Sequence, residues 1–128
     1  MQPIPAQQRG DLLLVVDDDA LITLNTVDLL TEMGYRALEA YSGAEALEIL
    51  RQRQDVGAMI TDFSMPGMTG VQLAEAARGL HPGLPILLAT GYAELPDGAH
   101  CDFPRLEKPF RQEELARKIE ALLARAAS

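Results

Sequence analysis

Residues 11–20 read DLLLVVDDDA. Five apolar residues, Leu12 to Val16, are followed at once by three carboxylates, Asp17, Asp18 and Asp19. The apolar run is too short for a helix of its own and reads as a buried strand. Like charges packed side by side disfavour one another unless a cation joins them or a proton is taken up. A strand that ends in three of them therefore points to a helix cap, a metal site or both.

The rest of the chain repeats the strand-then-helix pattern. From Ala20 to Met33 the apolar residues Ala20, Leu21, Leu24, Val27 and Leu30 recur at helical spacing, and Gly34 supplies a C-terminal stop. YRALEA, residues 35–40, alternates like a half-buried strand. Ser42 and Glu45 have capping-box spacing ahead of a helix carrying Ala46, Leu47 and Leu50. VGAMITD, residues 56–62, is a second apolar strand. Thr69 and Gln72 form another capping-box pair, before a helix with Leu73, Ala76, Ala77 and Leu80 as its stripe. PILLAT (85–90) and FPRLEK (103–108) are two further strands, the second more polar. A last helix from about Gln112 places Leu115, Ile119 and Leu122 on one side.

Strand–helix alternation predicts an α/β fold with a parallel sheet. Strands one, three and four are continuously apolar, so both their faces are covered and they lie inside the sheet. Strand two alternates, and Pro104 in strand five cannot donate to a ladder, so both belong on edges. The expected architecture is a doubly wound, five-stranded parallel sheet of order 2-1-3-4-5. In that order the chain reverses between strands one and three, and ligands sit at their carboxyl ends.

Asp17 and Asp18 end strand one, Asp62 ends strand three, Thr90 ends strand four and Lys108 ends strand five. All should share one rim. Carboxylates with room for water suit Mg²⁺, a hard ion that keeps several waters. A metal, a lysine and a hydroxyl together make a place for a phosphoryl group. An aspartate can itself be the acceptor, and Asp62, alone on the central strand, is the best candidate. Asp19 falls at the helix start and is assigned to the cap. An Asp-x-Asp pair, Asp17 and Asp19, also permits a haloacid-dehalogenase-like phosphatase. That alternative lacks the Thr such enzymes place at Leu21, and the chain is short for it.

Composition bounds the remaining options. The chain has 128 residues, enough for one domain, with a flexible arm expected over 1–10 and the domain over 11–125. Asp plus Glu is 19 against 11 Lys plus Arg, a net charge of −8, which argues against a general nucleic-acid binder. Cys101 stands alone, so no disulfide within the chain can form. MQPIPAQQRG at the start lacks a signal-peptide core, no apolar run approaches a membrane span, and cytoplasm is the default expectation. Arg51, Arg53, Arg111, Arg117 and Lys118 read as solvated charges, and neither His81 nor His100 is given a role.

With these motifs in order, the sequence resembles a response-regulator receiver (CheY-like) domain of bacterial two-component systems. LLVVDDDALI (13–22), ITDFSMPGMTG (60–70), PILLATGYA (85–93) and LEKPF (106–110) carry the resemblance. It implies a (βα)₅ fold and phosphorylation of Asp62 by a phosphohistidine on a histidine kinase or histidine phosphotransfer protein. It implies Mg²⁺ held directly by Asp18 and Asp62, by Asp17 through water, and by the backbone carbonyl of Ser64. Lys108 would pair with the phosphoryl group, Thr90 would hydrogen-bond it, and the Lys108–Pro109 bond would be cis. The added charge would draw Thr90 inward and change the surface read by a downstream protein.

Two departures from the family pattern stand out. Residues 91–107, GYAELPDGAHCDFPRLE, show no helical stripe, so the fourth helix is expected to be short or missing. Arg105 occupies a position that is commonly aromatic, leaving Tyr92 as the other candidate for coupling to the hydroxyl. The ATGY run resembles receivers of hybrid kinases and single-domain regulators, so either a free-standing regulator or a receiver cut from a hybrid kinase is expected.

Overall fold

The structure, a computed structural model, describes residues 12–90, 103–108 and 110–127. In chain order the elements are β1 (Leu12–Val16), α1 (Ala20–Glu32), β2 (Arg36–Ala40), α2 (Gly43–Gln52), β3 (Ala58–Asp62), α3 (Gly70–Leu80), β4 (Ile86–Thr90), β5 (Arg105–Glu107) and α4 (Gln112–Ala127). The five strands form one sheet in the order β2-β1-β3-β4-β5, every pair parallel. The expected order and edge strands are therefore found. The expected loss of the helix between β4 and β5 falls on residues 91–102, outside the described residues, as do Tyr92, His100, Cys101, Pro109 and the arm over 1–10.

Strand alternation sorts the core into two layers. Leu12, Leu14, Val16, Met59, Ile86 and Leu88 pack with Leu47, Leu50, Leu73, Ala74 and Ala77, so α2 and α3 cover one face. Leu13, Val15, Ala58, Ile60 and Leu87 pack with Leu30, Leu115, Ile119 and Leu122, so α1 and α4 cover the other. Continuous apolar strands are the direct consequence of that double cover.

Local signals place the helix ends. Ser42 Oγ accepts from Glu45 N at the start of α2, and Gly34, at φ +96°, takes the left-handed conformation that ends α1. At α3 the box is reciprocal: Thr69 Oγ1 accepts from Gln72 N, and Gln72 Oε1 from Thr69 N. Thr69→Ala should lower stability by about 1 kcal/mol in urea unfolding, the usual worth of a lost cap.

Two helices are rotated from the expected stripe. In α3 the buried residues are Gly70, Leu73, Ala74 and Ala77, whereas Ala76 and Leu80 are exposed. In α1 they are Thr23, Thr26 and Leu30, whereas Leu21 is 79% and Leu24 46% exposed. In α1 the Thr23 hydroxyl bonds the carbonyls of Asp17 and Asp19, which turns the threonine face inward. In α3 Gly70 sits against the backbone of Asp62 and Phe63 with its N–H on Phe63 O, which turns the Gly70 face inward. His81, read as having no role, is a structural tie: it ends α3, and its Nε2 lies 2.6 Å from the Leu50 carbonyl of α2. Arg78 adds a second tie, its guanidinium 4.3 Å from the ring centre of Phe103 ahead of β5.

Candidate functional site

Strand register assembles the site. Val16 pairs with Thr61, so the next residues, Asp17 and Asp62, leave adjacent strands at one level. Asp62 pairs with Ala89 and Thr90 with Glu107, which brings Thr90 and then Lys108 to the same rim. Ladder bonds continue past the strand ends, Phe63 N donating to Ala89 O and Lys108 N to Thr90 O. Alternation sets direction. Asp17 lies two residues beyond Val15, Asp62 two beyond Ile60 and Lys108 two beyond Leu106. Val15, Ile60 and Leu106 face α1 and α4, so by strand parity the three polar side chains leave the sheet on the same side.

They meet. Lys108 Nζ donates to Asp62 Oδ1 at 2.6 Å and to Asp17 Oδ2 at 3.4 Å, although 46 and 91 residues separate the partners. Carboxylate oxygens of Asp17, Asp18 and Asp62 all lie within 4.8 Å of one another. Asp17 and Asp62 are buried and Asp18 is exposed, so the cluster opens to solvent on one side. Burial pulls the Lys108 ammonium toward its neutral form, but the hydrogen bond to Asp62 and the charges of Asp17 and Asp62 outweigh it. The net result is a pKa above the ordinary lysine value, and Lys108 stays cationic.

Hard oxygen donors with an exposed side for water suit a small divalent cation, so the donor set fits a metal ion. Thr90 is buried at the end of β4, and Ser64 is exposed on the loop that follows Asp62. Asp19 is spent elsewhere. Its Oδ1 accepts from Leu21 N at 3.0 Å and from Ile22 N at 3.3 Å, capping α1 as expected. The Asp17/Asp19 phosphatase alternative thus finds no support. Arg105 is exposed on β5 beside Leu88.

Residues 13–120 match the family described as the response regulator receiver domain. This chain belongs to that family. Among relatives, it is 34% identical over 118 residues to the response regulator receiver protein CpdR of Brucella abortus, covering 89% of this chain and 98% of CpdR. It is 35% identical over 126 residues to the transcriptional regulatory protein GlrR of Escherichia coli, covering 95% of this chain. The match spans only 28% of GlrR. A solved response regulator receiver protein from Sinorhizobium medicae superimposes with a TM-score of 0.81 at 30% identity, over 91% of this chain and 97% of that one. A receiver domain is a signalling phosphoacceptor, and the acidic cluster fits that role. Among the described residues no helix is long and apolar enough to cross a membrane.

Sequence reading missed Thr23. Its buried side chain donates to the carbonyls of Asp17 and Asp19, both at 3.0 Å. A threonine one turn after a cap is a ready candidate for such back-bonding, and that was the available signal.

Proposed function

We propose that this receiver domain, residues 11–125, takes a phosphoryl group from a phosphohistidine onto Asp62. The donor is a histidine kinase or a histidine phosphotransfer protein. The observation that carries this reading is the Lys108–Asp62 contact inside a cluster completed by Asp17 and Asp18. A buried carboxylate with a lysine on one oxygen and two more carboxylates alongside is a nucleophile in a cation-ready pocket.

In the transfer, an oxygen of Asp62 forms the new bond to phosphorus as the phosphorus–nitrogen bond of the phosphohistidine breaks. The imidazole leaves with that electron pair and takes a proton from solvent. Lys108, already on Asp62, passes its hydrogen bond to a phosphoryl oxygen, and the Thr90 hydroxyl donates to another. Asp17, Asp18, Asp62 and the Ser64 carbonyl would hold Mg²⁺, which supplies neutralising charge for the phosphoryl oxygens. Slow hydrolysis of the resulting acyl phosphate resets the domain. The acyl phosphate at Asp62 carries up to roughly one more negative charge than the carboxylate it replaces, and Thr90 and its strand end respond.

The test is intact-mass analysis after incubation with a small-molecule phosphodonor and Mg²⁺. One hydroxylamine-labile phosphoryl group per chain, lost when a chelator is present, is the expected result. A label on a hydroxyl or a histidine, or full labelling in chelator, would overturn the reading.

The exposed leucines of α1 support a landing place for the donor protein beside the site. Leu21 and Leu24 are exposed on the first turns of α1, next to Asp18 and Asp19. Exposed leucines beside a site favour contact with a partner. The double change Leu21→Glu, Leu24→Glu should slow transfer from a protein donor by about ten-fold or more, the effect of losing one interface anchor. Labelling by the small-molecule donor should be unchanged.

A further inference from the structure

We propose that Thr23 is a positioning residue that holds the acidic turn Asp17–Asp19 in its cation-ready shape. This rests on the metal-dependent reading of the site above.

The Thr23 hydroxyl has one hydrogen and shares it between two carbonyl oxygens. The bond to Asp19 O, four residues back, is the ordinary helical back-bond of a threonine. The bond to Asp17 O, six residues back, is not. It leaves the helix and reaches the end of β1. Thr23 has no exposed surface, so water does not compete for either bond. On the other side of the same residue, Asp17 N donates to Ala40 O of β2. The Asp17 backbone is therefore gripped on both sides, and Asp17 Oδ1 accepts from Asp19 N at 2.9 Å across the turn.

That grip matters because the turn is electrostatically unfavourable. Asp17 and Asp18 are adjacent, and with Asp62 their carboxylate oxygens lie within 4.8 Å. Mutual repulsion pushes the turn open. The hydroxyl bridge opposes it through neutral backbone atoms, without occupying any carboxylate oxygen that a cation would use. Groups that orient metal ligands in this way typically change metal affinity about 10- to 100-fold when removed. A valine at this position would keep the shape of the threonine and could not make the bridge.

The experiment compares Mg²⁺ affinity by amide-shift titration in wild type, Thr23→Val and Thr23→Ser, at a temperature where all three are folded. Thr23→Val removes the hydroxyl and keeps the shape. It should bind Mg²⁺ about ten-fold more weakly, with the largest shift differences at Asp17–Asp19, and Thr23→Ser should restore wild-type affinity. Thr31→Val is the control. It loses a similar helical back-bond, Thr31 Oγ1 to Val27 O, far from the turn, and should leave affinity unchanged. Thr23→Ala gives the same comparison if Thr23→Val does not fold. Unchanged affinity in Thr23→Val, or equal weakening in Thr23→Ser, would overturn the proposal alone. Absence of Mg²⁺ binding in wild type would overturn the reading of the site and this proposal with it.

Discussion

Asp62→Asn is expected to abolish phosphoryl incorporation from protein and small-molecule donors alike, while the chain remains folded. Asparagine keeps the shape of the side chain and can still accept from Lys108 at the Asp62 position. It cannot attack phosphorus as a carboxylate does, and it removes one of three negative charges that gather the cation. Removing one of three neighbouring carboxylates relieves repulsion, so thermal stability should hold or rise. Intact mass reads the first expectation and a thermal melt the second. Labelling of Asp62→Asn at the wild-type level would show that another residue is the acceptor.

Gly70→Ala carries the largest expected effect on stability. A Cβ at Gly70 would lie 2.3 Å from the backbone oxygen of Asp62 and 3.0 Å from Phe63 Cα. Both neighbours are main chain at the end of a central strand, so neither yields as a flexible side chain would. Gly70 N also donates to Phe63 O at 2.7 Å, which keeps α3 pressed against the strand end. The added methyl must push α3 outward and break that bond. We expect a loss of about 3 kcal/mol, the upper part of the overpacking range. The loss should appear although alanine is the better helix former by roughly 1 kcal/mol. Gly79 provides the contrast. It lies in the same helix, and a methyl added there would meet nothing within 4 Å, so Gly79→Ala should stabilise by up to about 1 kcal/mol. Urea unfolding of the two variants should give shifts of opposite sign. Equal shifts would mean that the close approach at Gly70 is not what requires glycine.

The parts of the fold that could be read in advance share one property: their causes are local or statistical. Apolar runs at Leu12–Val16, Ala58–Ile60 and Ile86–Ala89 meant two-sided cover, and Pro104 meant an edge. From those two facts the strand order followed, and from the order the convergence of Asp17, Asp62 and Lys108. Asp19 as a cap and the Thr69–Gln72 box were equally legible, because a cap is made within four residues.

Helix rotation was not legible. Leucine at positions 21 and 24 and threonine at 23 and 26 offer two possible stripes, and hydrophobicity favours the wrong one. The Thr23 bond to Asp17 O and the packing of the helix on the sheet select the other, and Leu21 and Leu24 are left outside. His81 escaped notice for a related reason, since its partner, the Leu50 carbonyl, is 31 residues away. By itself the sequence determined the alternation of elements, their order in the sheet and which carboxylates end its strands, because these depend on periodicity and on strand parity. Tertiary structure alone decided which way α1 and α3 turn, the bridge over the acidic turn and the 2.6 Å contact of Lys108 with Asp62. Those depend on hydrogen bonds between segments distant in the chain, whose geometry no local pattern encodes.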